Sequence, residues 1–497
     1  MPAKTPNLDP RTLLQELLDL RQAVLNEADA LYQDWKPYLD RQRRPRFAKS
    51  ALNFAHYLAL RRRDLRELQT RLRTFGLSSL GRIEAQVLPT LDNVIATLDS
   101  VVGTQSGIPR PTPRTFEEGA RLLERETQDV FGKKPRKRRV RLMVTLPSEA
   151  ADDPHIAHDL LKAGMDVARI NCAHDTADAW ARMIEHLRQA EKKLKRPCRV
   201  AMDLGGPKSR TADVTFAHDE KRLHIGDTVR LSVDAPSAPP DDVSLHVRCT
   251  LPEAIAQVRV GERVFFDDGK IETCVIKRKK GELLLKVVHA SLKGDKLKDD
   301  KGINFPDTAL ALSPLTAQDL QDLDFVAQHA DIVNYSFVQS GDDVRLLQAE
   351  LLRRAPTRQP AIVAKIETAK AVKHLPQIIV AAGSRQPLGV MIARGDLAIE
   401  LGYARLAEIQ EEILWLCEAA HVPVIWATQV LETLAKEGRP SRAEVTDAAM
   451  SERAECVMLN KGEYIVSAMH LLTGVLERME NHQTKKMARL RALKSWQ

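Results

Sequence analysis

From residue 140 onward, short apolar runs alternate with longer amphipathic stretches of helical periodicity. This alternation is typical of strand–helix–strand units, which build a parallel sheet covered by helices, so the predicted fold class is α/β. Eight such units close naturally into a (β/α)₈, or TIM, barrel, with an open doubly wound sheet as the alternative topology. The predicted strands are Val140–Thr145, Asp166–Asn171, Arg199–Asp203, Ile332–Ser336, Ala361–Glu367, Leu388–Ala393, Val422–Thr428 and Glu455–Leu459.

The segments outside these units predict two further modules. An insertion after the third strand is rich in β-type runs and predicts a separate β domain. Before the first strand, helices are predicted over about 8–35, 50–75 and 79–102, and a fourth follows a capping box of Thr115 and Glu118 and ends at Gly132. The predicted domains are a helical extension with a basic linker (1–137), the barrel (138–207 and 305–480), the β domain (208–304) and a basic C-terminal tail (481–497).

Charge and cysteine content narrow the function classes. The net charge of +8 includes a basic run at 133–139, which we interpret as a solvated linker, with a nucleic-acid contact as the alternative. We therefore expect no nucleic-acid partner. The six cysteines form no CxxC pair, which argues against a zinc site or a disulfide framework. No signal peptide and no membrane-spanning run is evident, so we expect a cytoplasmic protein without a membrane partner.

Charged residues stand at the carboxyl ends of two predicted strands. Lys365 and Glu367 are two residues apart in one strand, so both side chains face the same side. Arg169 and Asn171 repeat this arrangement in the second strand. Charges at a barrel mouth are costly unless they are paired or bound to a ligand, so this placement suggests a site for an anion and a metal. A structural ion pair is the alternative interpretation.

Asp396 follows the sixth strand, at the predicted start of a helix. Gly395 precedes it and lets backbone amides approach a ligand closely. The amino terminus of a helix at this position would bind a phosphate or a carboxylate.

Six motifs in this order resemble signatures of the pyruvate kinase family, over about residues 138–475 including the β insertion. The insertion corresponds to the family's mobile lid, so the resemblance implies a small β-barrel lid domain. The motifs are AGMDVAR at 163–169, FDDG at 266–269, AKIE at 364–367, IARGDL at 392–397, ATQVLE at 427–432 and RPSRAEV at 439–445.

The resemblance implies an activity and a set of chemical roles. The implied reaction transfers a phosphoryl group between phosphoenolpyruvate and ADP, giving pyruvate and ATP. Glu367 and Asp396 would hold Mg²⁺ (or Mn²⁺). Lys365 and Arg169 would stabilise the phosphoryl group in transfer, and Thr428 would orient the enolate and the water that protonates it.

The remaining implied contacts concern the substrate carboxylate, the nucleotide and the subunits. Ser336 and the backbone at Ala393 and Gly395 would hold the carboxylate. The helix after Arg439-Pro440-Ser441-Arg442 resembles a dimer contact of the family, which implies a possible homo-oligomer. The residues expected to meet the nucleotide, with Asp268 brought in from the lid tip, are Asn171, His174, Asp268 and Lys301.

Departures from the family pattern predict that K⁺ is not required. Family members that depend on K⁺ usually carry Glu at the position of Lys208 and Ser at the position of Ala173, and Thr is common at the position of Leu204. The ammonium of Lys208 would supply the positive charge in place of the ion. A second departure is that no counterpart of the family's C-terminal regulatory domain is expected.

Two other functions remain open at this stage. One is a metal-dependent lyase acting on oxo-acids, which would use the same Glu and Asp pair on the same barrel. The other is a catalytically silent scaffold whose helical extension binds a partner.

Overall fold

The computed structural model describes residues 9–40, 43–217, 221–236, 242–485 and 487–488. Residues 1–8 and most of the predicted basic tail (486 and 489–497) lie outside the described residues. Within the described residues, the chain begins with six helices. These are α1 (Pro10–Asp34), α2 (Lys36–Leu39), α3 (Phe47–Arg61), α4 (Arg66–Thr74), α5 (Val87–Val102) and α6 (Pro113–Phe131).

The prediction of one helix over 50–75 is wrong, because the chain breaks between α3 and α4. The carboxylate of Asp64 accepts hydrogen bonds from the amide of Arg66, at 3.1 Å, and from its guanidinium. Such local side-chain bonds compete with the helical hydrogen-bond ladder and favour a new helix start. The third predicted helix starts later than expected, since the side chain of Asn53 accepts a hydrogen bond from the Val87 amide at 2.8 Å.

The predicted capping box of the fourth helix is also wrong. Helix α6 begins three residues earlier, with Thr112 as its N-cap residue and Pro113 at its first position. Proline suits that position because its missing N–H would be unpaired there anyway. Thr115 contacts the Thr112 hydroxyl at 3.0 Å, and Glu118 forms an ion pair of 2.6 Å with Lys49 instead.

The first three barrel strands follow α6 and are separated by helices. In chain order the elements are β1 (Arg141–Thr145), a 3₁₀ turn (Ser148–Ala151), α7 (Pro154–Ala163), β2 (Val167–Asn171), α8 (Ala177–Leu194) and β3 (Arg199–Asp203).

The β insertion then forms a seven-stranded mixed sheet with a core of its own. Its edge strands are the first and last of the insertion, and the residues beside them, Arg210 and Gly302, form one isolated bridge, so the sheet curves into a half-barrel. The elements are β4 (Thr211–Phe216), β5 (Thr228–Ser232), β6 (Leu245–Cys249), α9 (Pro252–Ile255), β7 (Arg263–Phe266), β8 (Ile271–Lys279), β9 (Glu282–His289) and β10 (Ile303–Asn304).

After the insertion, the chain returns to the barrel for the remaining five strands. The elements are α10 (Ala317–His329), β11 (Ile332–Tyr335), α11 (Gly341–Arg354), β12 (Ala361–Ile366), α12 (Ala369–Gly383), β13 (Leu388–Ala393), α13 (Arg394–Leu401), α14 (Tyr403–Ala419), β14 (Val424–Ala427), α15 (Glu432–Glu437), α16 (Arg442–Met450), a 3₁₀ turn (Ser451–Arg453), β15 (Cys456–Leu459), α17 (Ile465–Glu480), β16 (Gln483–Thr484) and β17 (Met487–Ala488).

The barrel strands are all parallel and form a closed ring in the order β1-β15-β14-β13-β12-β11-β3-β2. The ring closes where β1 pairs with β15, with Leu142 opposite Val457. The predicted fold class, an α/β (β/α)₈ barrel with an inserted β domain and a helical extension, is confirmed. The alternative of an open doubly wound sheet is wrong, since a closed ring has no edge strands. The predicted domain boundaries stay predictions.

Helix α6 of the extension closes the amino-terminal end of the barrel. Its last residues, Val130 and Phe131, are buried and belong to the cluster inside the ring, together with Met143 and Met391. Phe131 lies so close to β13 that a Cβ atom at Gly389 would come within 3.5 Å of its ring. The extension therefore supplies part of the barrel's own interior.

The end of the basic run is not solvated, contrary to the linker interpretation. Arg138 is 3% exposed and forms an ion pair of 2.7 Å with Asp166. Arg139 pairs with Glu452 and Glu455 at 3.2 and 3.1 Å. Because the chain must enter β1 beneath the barrel, both cations are paired there with acidic side chains of the barrel.

The extension also packs on the outer helices of the barrel. The guanidinium of Arg44 forms an ion pair of 2.7 Å with Glu126 of α6 and donates a hydrogen bond of 3.0 Å to the carbonyl of Gln386, just before β13. On another face, Ser50 contacts a ring nitrogen of His421 at 2.9 Å. These polar contacts fix the position of the extension on the barrel.

We expect a buried histidine in α3 to make stability depend on pH. Burial, with a smaller contribution from the charge of Arg21, lowers the pKa of His56 from 6.5 to about 4. The unfolded chain therefore binds more protons than the folded one between these values, so stability is full above about pH 6.5 and is lost as pH falls towards about 4. The expected loss between about pH 7.5 and 5 is about 2 kcal/mol.

Urea unfolding at both pH values tests this expectation. His56→Gln should reduce the difference by about 2 kcal/mol, whereas the same substitution at the exposed His155 of α7 should leave it unchanged. An unaltered pH dependence in His56→Gln would contradict the assignment.

Among the described residues, no helix combines the length and the apolar character needed to cross a membrane.

Candidate active site

A lysine at the end of β12 lies at the centre of a charged cluster on the carboxyl-terminal face of the barrel. The Nζ atom of Lys365 lies 3.0 Å from Oε1 of Glu367 and 3.6 Å from Oδ2 of Asp203. It also donates a hydrogen bond of 2.8 Å to Oγ of Ser336, the residue after β11. Three neighbouring strands of the barrel thus present their ends to one ammonium group.

An arginine on β2 extends this cluster across the barrel. Arg169 donates a hydrogen bond of 2.7 Å to Oδ2 of Asp203 and one of 2.9 Å to the hydroxyl of Thr145. Asp203, which ends β3 and is 1% exposed, therefore bridges Arg169 and Lys365. The barrel register explains this meeting, because strand ends from different units converge at the same face.

The pKa values reflect burial and neighbouring charge. Burial alone would raise the pKa of Asp203, but the charges of Arg169 and Lys365 hold it below its ordinary value. Burial would likewise lower the pKa of Lys365, yet Glu367 and Asp203 raise it. Asp203 and Lys365 are therefore both charged at neutral pH, and the two cations, Lys365 and Arg169, are held in place by charged partners.

Glu367 and Asp396 are carboxylates close enough to influence one another. Burial raises the pKa of Glu367, and the charge of Asp396 raises it further against the opposing effect of Lys365. Asp396 lies in the first turn of α13 and forms an ion pair of 2.8 Å with Lys208. Two nearby carboxylates repel one another, and Lys365 and Lys208 offset this repulsion only in part. A cation bound between the carboxylates would therefore stabilise the pair.

The donor chemistry of this pair fits a hard divalent cation. Carboxylate oxygens are the ligands that Mg²⁺ prefers, and Mg²⁺ commonly uses one or two protein carboxylates together with substrate oxygens. In the described part of the chain, no group of three or more His, Cys, Asp or Glu is arranged to hold a metal without other ligands. A divalent cation at Glu367 and Asp396 would need further oxygens from a substrate and water.

A backbone hydrogen bond fixes the carboxylate of Glu367. The amide of Phe337 donates a hydrogen bond of 2.6 Å to Oε2 of Glu367, and Phe337 has a left-handed φ of 54°. Gly206 makes this turn possible, since a Cβ atom there would come within 2.8 Å of the Phe337 ring. The carboxylate of Glu367 is thus held from one side by an amide and from the other by Lys365.

Thr428 follows β14 in a strained conformation. Its φ is 72°, a left-handed value that is costly for a β-branched residue. Arg394 secures this turn by donating hydrogen bonds to the carbonyls of Ala427, at 2.8 Å, and Thr428, at 2.6 Å. A Cβ atom at Gly395 would come within 2.8 Å of the Thr428 methyl group, so glycine permits the close approach of α13 to Thr428.

The β domain, which the resemblance predicts to be a lid, lies against α13. A Cβ atom at Gly269, in the turn between β7 and β8, would come within 3.0 Å of Ile399. Asp268 in the same turn lies beside Gly302, where an added Cβ would be 3.9 Å from its Oδ1 and 3.5 Å from Cε of Lys208. Asp268 and Lys208 therefore approach the same glycine.

Three of the predicted nucleotide contacts, Asn171, His174 and Lys301, lie on segments outside the hydrogen-bonded cluster. Asn171 ends β2 and accepts a hydrogen bond of 3.2 Å from the amide of Ala173, while His174 is exposed in the turn that follows. Lys301 pairs within the β domain, at 3.2 Å from Asp267. Ala393, the last residue of β13, is buried and is the N-cap residue of α13. Among the described residues, no hydrogen bond joins these side chains to Lys365.

Sequence reasoning missed two groups that organise the site. Asp203 ends a predicted strand, and that position was a signal that could have identified it as part of the cluster. The second group is the ion pair of Arg394 with Asp447 of α16, which holds Arg394 over the ring of Trp426 at 4.5 Å. Asp447 is distant in sequence, and no local pattern indicates its partner.

Comparison with known proteins agrees with this geometry. Residues 137–469 match the sequence model described as pyruvate kinase, barrel domain. The chain is 33% identical to the pyruvate kinase of Methylorubrum extorquens, over 69% of each chain. It is also 33% identical to the pyruvate kinase of Mycobacterium tuberculosis, over 70% of this chain and 71% of the relative. Against pyruvate kinase PKLR of Rattus norvegicus the identity is 31%, over 78% of this chain and 67% of the relative.

A (β/α)₈ barrel with a charged cluster at the carboxyl ends of its strands has the architecture of a barrel enzyme. Helix α13, which carries Asp396, lies against the β domain. With the match across the barrel and the identity to three curated relatives, the chain belongs to the pyruvate kinase family.

Proposed function

We propose that this protein transfers the phosphoryl group of phosphoenolpyruvate to ADP, releasing pyruvate and ATP in a reaction that depends on Mg²⁺ (or Mn²⁺). The observation that carries the proposal is the contact of Lys365 with Ser336, Glu367 and Asp203, and of Asp203 with Arg169. Phosphoryl transfer needs positioned positive charge more than covalent chemistry, and this cluster supplies two fixed cations.

Each residue of the cluster has a place in the proposed reaction. Lys365 and Arg169 neutralise the phosphoryl oxygens while the bond from phosphorus to the enol oxygen breaks and the bond to the ADP oxygen forms. Thr428, held by Arg394, orients the enolate for protonation by water. Ser336 and the amides at the start of α13, after Ala393 and at Gly395, bind the substrate carboxylate.

Glu367 and Asp396 hold the divalent cation, which supplies Lewis-acid charge to the substrate oxygens. Lys208 balances Asp396, with which it pairs at 2.8 Å. The β domain acts as the lid, bringing Asp268 towards the site and excluding water from it. Asn171, His174 and Lys301 contact the nucleotide. Of these, only Lys301 lies on the lid, so nucleotide binding joins the two domains.

An assay coupled to lactate dehydrogenase tests this function. Purified protein with phosphoenolpyruvate and ADP should form pyruvate in the presence of Mg²⁺, and the reaction should stop on removal of the metal by a chelator. Absence of pyruvate formation with Mg²⁺ and with Mn²⁺ would overturn the proposal. Turnover of an oxo-acid without ADP would favour the lyase instead.

We expect the reaction to proceed without K⁺. The ammonium of Lys208 lies beside Asp396, so a positive charge is already present next to the proposed metal ligand. The methyl group of Ala173 and the side chain of Leu204 offer no oxygen to such an ion. Initial rates measured in tetramethylammonium chloride and in saturating KCl at matched ionic strength should therefore be similar. Stimulation by K⁺ beyond about tenfold, or about 1.4 kcal/mol, would contradict this expectation.

A further inference from the structure

An open cavity of about 680 Å³ lies between the helical extension and the outer layer of the barrel. One wall comes from the extension, including Trp35, Tyr38 and Arg62, and the other comes from α11 and α12, including Arg345 and Lys373. Small-molecule sites have volumes of about 300 to 1,000 Å³. None of the residues that line this cavity belongs to the proposed active site.

The cavity has an excess of positive charge. Its cationic side chains are Arg61, Arg62, Arg345 and Lys373, and its only acids in the described residues are Asp34 and Asp342. Asp342 and Arg345 form an ion pair with one another, and Arg62 pairs at 3.4 Å with Glu27, which lies outside the lining. Lys373 is exposed and has neither an ion pair nor a hydrogen bond with any described residue. A charged ligand in this cavity would therefore be an anion.

The two walls are held at a fixed separation. The guanidinium of Arg345 lies over the ring of Tyr38, 4.9 Å from its centroid. At the start of α11, a Cβ atom on Gly341 would come within 2.9 Å of the Tyr38 hydroxyl, so the extension and the barrel are in direct contact there. A cavity whose walls are fixed before binding costs less ordering when a ligand enters.

We propose that this cavity binds a small phosphorylated metabolite, with Lys373 and Arg345 as its principal contacts. An arginine fork can bind two phosphate oxygens at once, and a lysine adds a compact charge that can follow the ligand. Both side chains lie on barrel helices, whereas Arg62 approaches from the extension, so a bound phosphate would connect the two parts of the chain.

The same helices lead to the proposed active site. Helix α12 begins two residues after Glu367, with Thr368 as its N-cap residue. Next to Lys373 on this helix, a ring nitrogen of His374 lies 2.9 Å from the carbonyl of Gln339, in the loop that follows Ser336. Ligand binding at Lys373 would thus act on the loops that carry Ser336 and Glu367. This regulatory consequence rests on the proposed function, whereas binding does not.

Isothermal titration calorimetry of the full chain with inorganic pyrophosphate, without divalent cations, tests the binding. Lys373→Glu should weaken one binding event at least about tenfold, which is about 1.4 kcal/mol. The matched control is Lys192→Glu on α8, where the lysine is also exposed and without a partner in the described residues. Because the proposed active site is unchanged in both variants, its contribution is the same in all isotherms.

Identical isotherms for the wild type, Lys373→Glu and Lys192→Glu would overturn the proposal. Lys373→Met, which removes the charge without reversing it, should also weaken binding. Citrate carries a similar charge on carboxylates, and equally tight binding of citrate would overturn the assignment to phosphate. Calorimetry needs no turnover, so an inactive protein in the coupled assay would leave this result unaffected. Conversely, loss of binding at the cavity would leave the proposed reaction intact.

Discussion

Lys365→Met should lower the turnover number for pyruvate formation by at least about a hundredfold, the typical effect of removing one preorganised charge that stabilises a transition state. The Nζ atom of Lys365 lies 3.0 Å from Glu367 and 2.8 Å from Ser336, so no other cation can take its place without movement of these side chains. Methionine keeps the length of the side chain and removes its charge. Steady-state rates in the coupled assay at saturating substrate and Mg²⁺ measure the effect.

A fold control is needed because Lys365 also neutralises buried acids. Its loss leaves Asp203 with Arg169 as its remaining ion-pair partner and leaves Glu367 without its own. Thermal unfolding followed by circular dichroism will show whether the variant is folded at the assay temperature. Lys193→Met, on the exposed face of α8, is the matched control and should retain full activity. A folded Lys365→Met protein with most of its activity would refute the assignment.

Arg44→Met should lower the free energy of unfolding by about 3 kcal/mol, near the lower end of the range for breaking a buried ion pair. Arg44 is 9% exposed, pairs with Glu126 at 2.7 Å and donates to the carbonyl of Gln386 at 3.0 Å. Its removal leaves a buried carboxylate and a barrel carbonyl with fewer donors. We place the effect near the lower end because Arg46 still contacts Glu126 at 3.2 Å. Urea unfolding at pH 7 measures the change.

Arg46→Met is the matched control for this prediction. Arg46 pairs with the same acids, Glu126 and Asp129, but its side chain is 35% exposed. Solvent screens a pair of this kind, so the expected loss is at most about 1 kcal/mol. Equal losses in the two variants would show that the burial of Arg44 does not increase its contribution to the free energy of unfolding.

The barrel could be predicted from the sequence, whereas some details of the extension could not. Each barrel strand is a short apolar run between polar turns, and both faces of a parallel strand are buried, so the pattern is strong. The start of α5 instead depends on Asn53, a residue more than thirty positions earlier that caps the helix through space. The fate of Arg138 and Arg139 depends likewise on acids of distant segments. Such tertiary partners leave no local periodicity.

In the candidate site, too, some features could be predicted from the sequence and others could not. Lys365, Glu367 and Arg169 could be selected because their alternation along strands places them at one face. The pairing of Lys208 with Asp396 could not be inferred, since it joins the start of the β insertion to the first turn of α13. The bridging role of Asp203 could not be inferred either, because it depends on how β2, β3 and β12 meet. Strand position can be read from sequence, but pairwise distance cannot.

The burial of Phe131 inside the ring shows that the packed core of the barrel begins earlier in the chain than the sequence match to the barrel domain. The match to the barrel domain begins at residue 137, yet Val130 and Phe131 fill the interior beneath the strands. A chain shortened to the matched residues would lack two of the side chains that pack against Met143 and Met391. It would expose an apolar opening at the base of the barrel, opposite the charged cluster. The smallest part of this chain with a complete barrel core therefore starts before α6 ends.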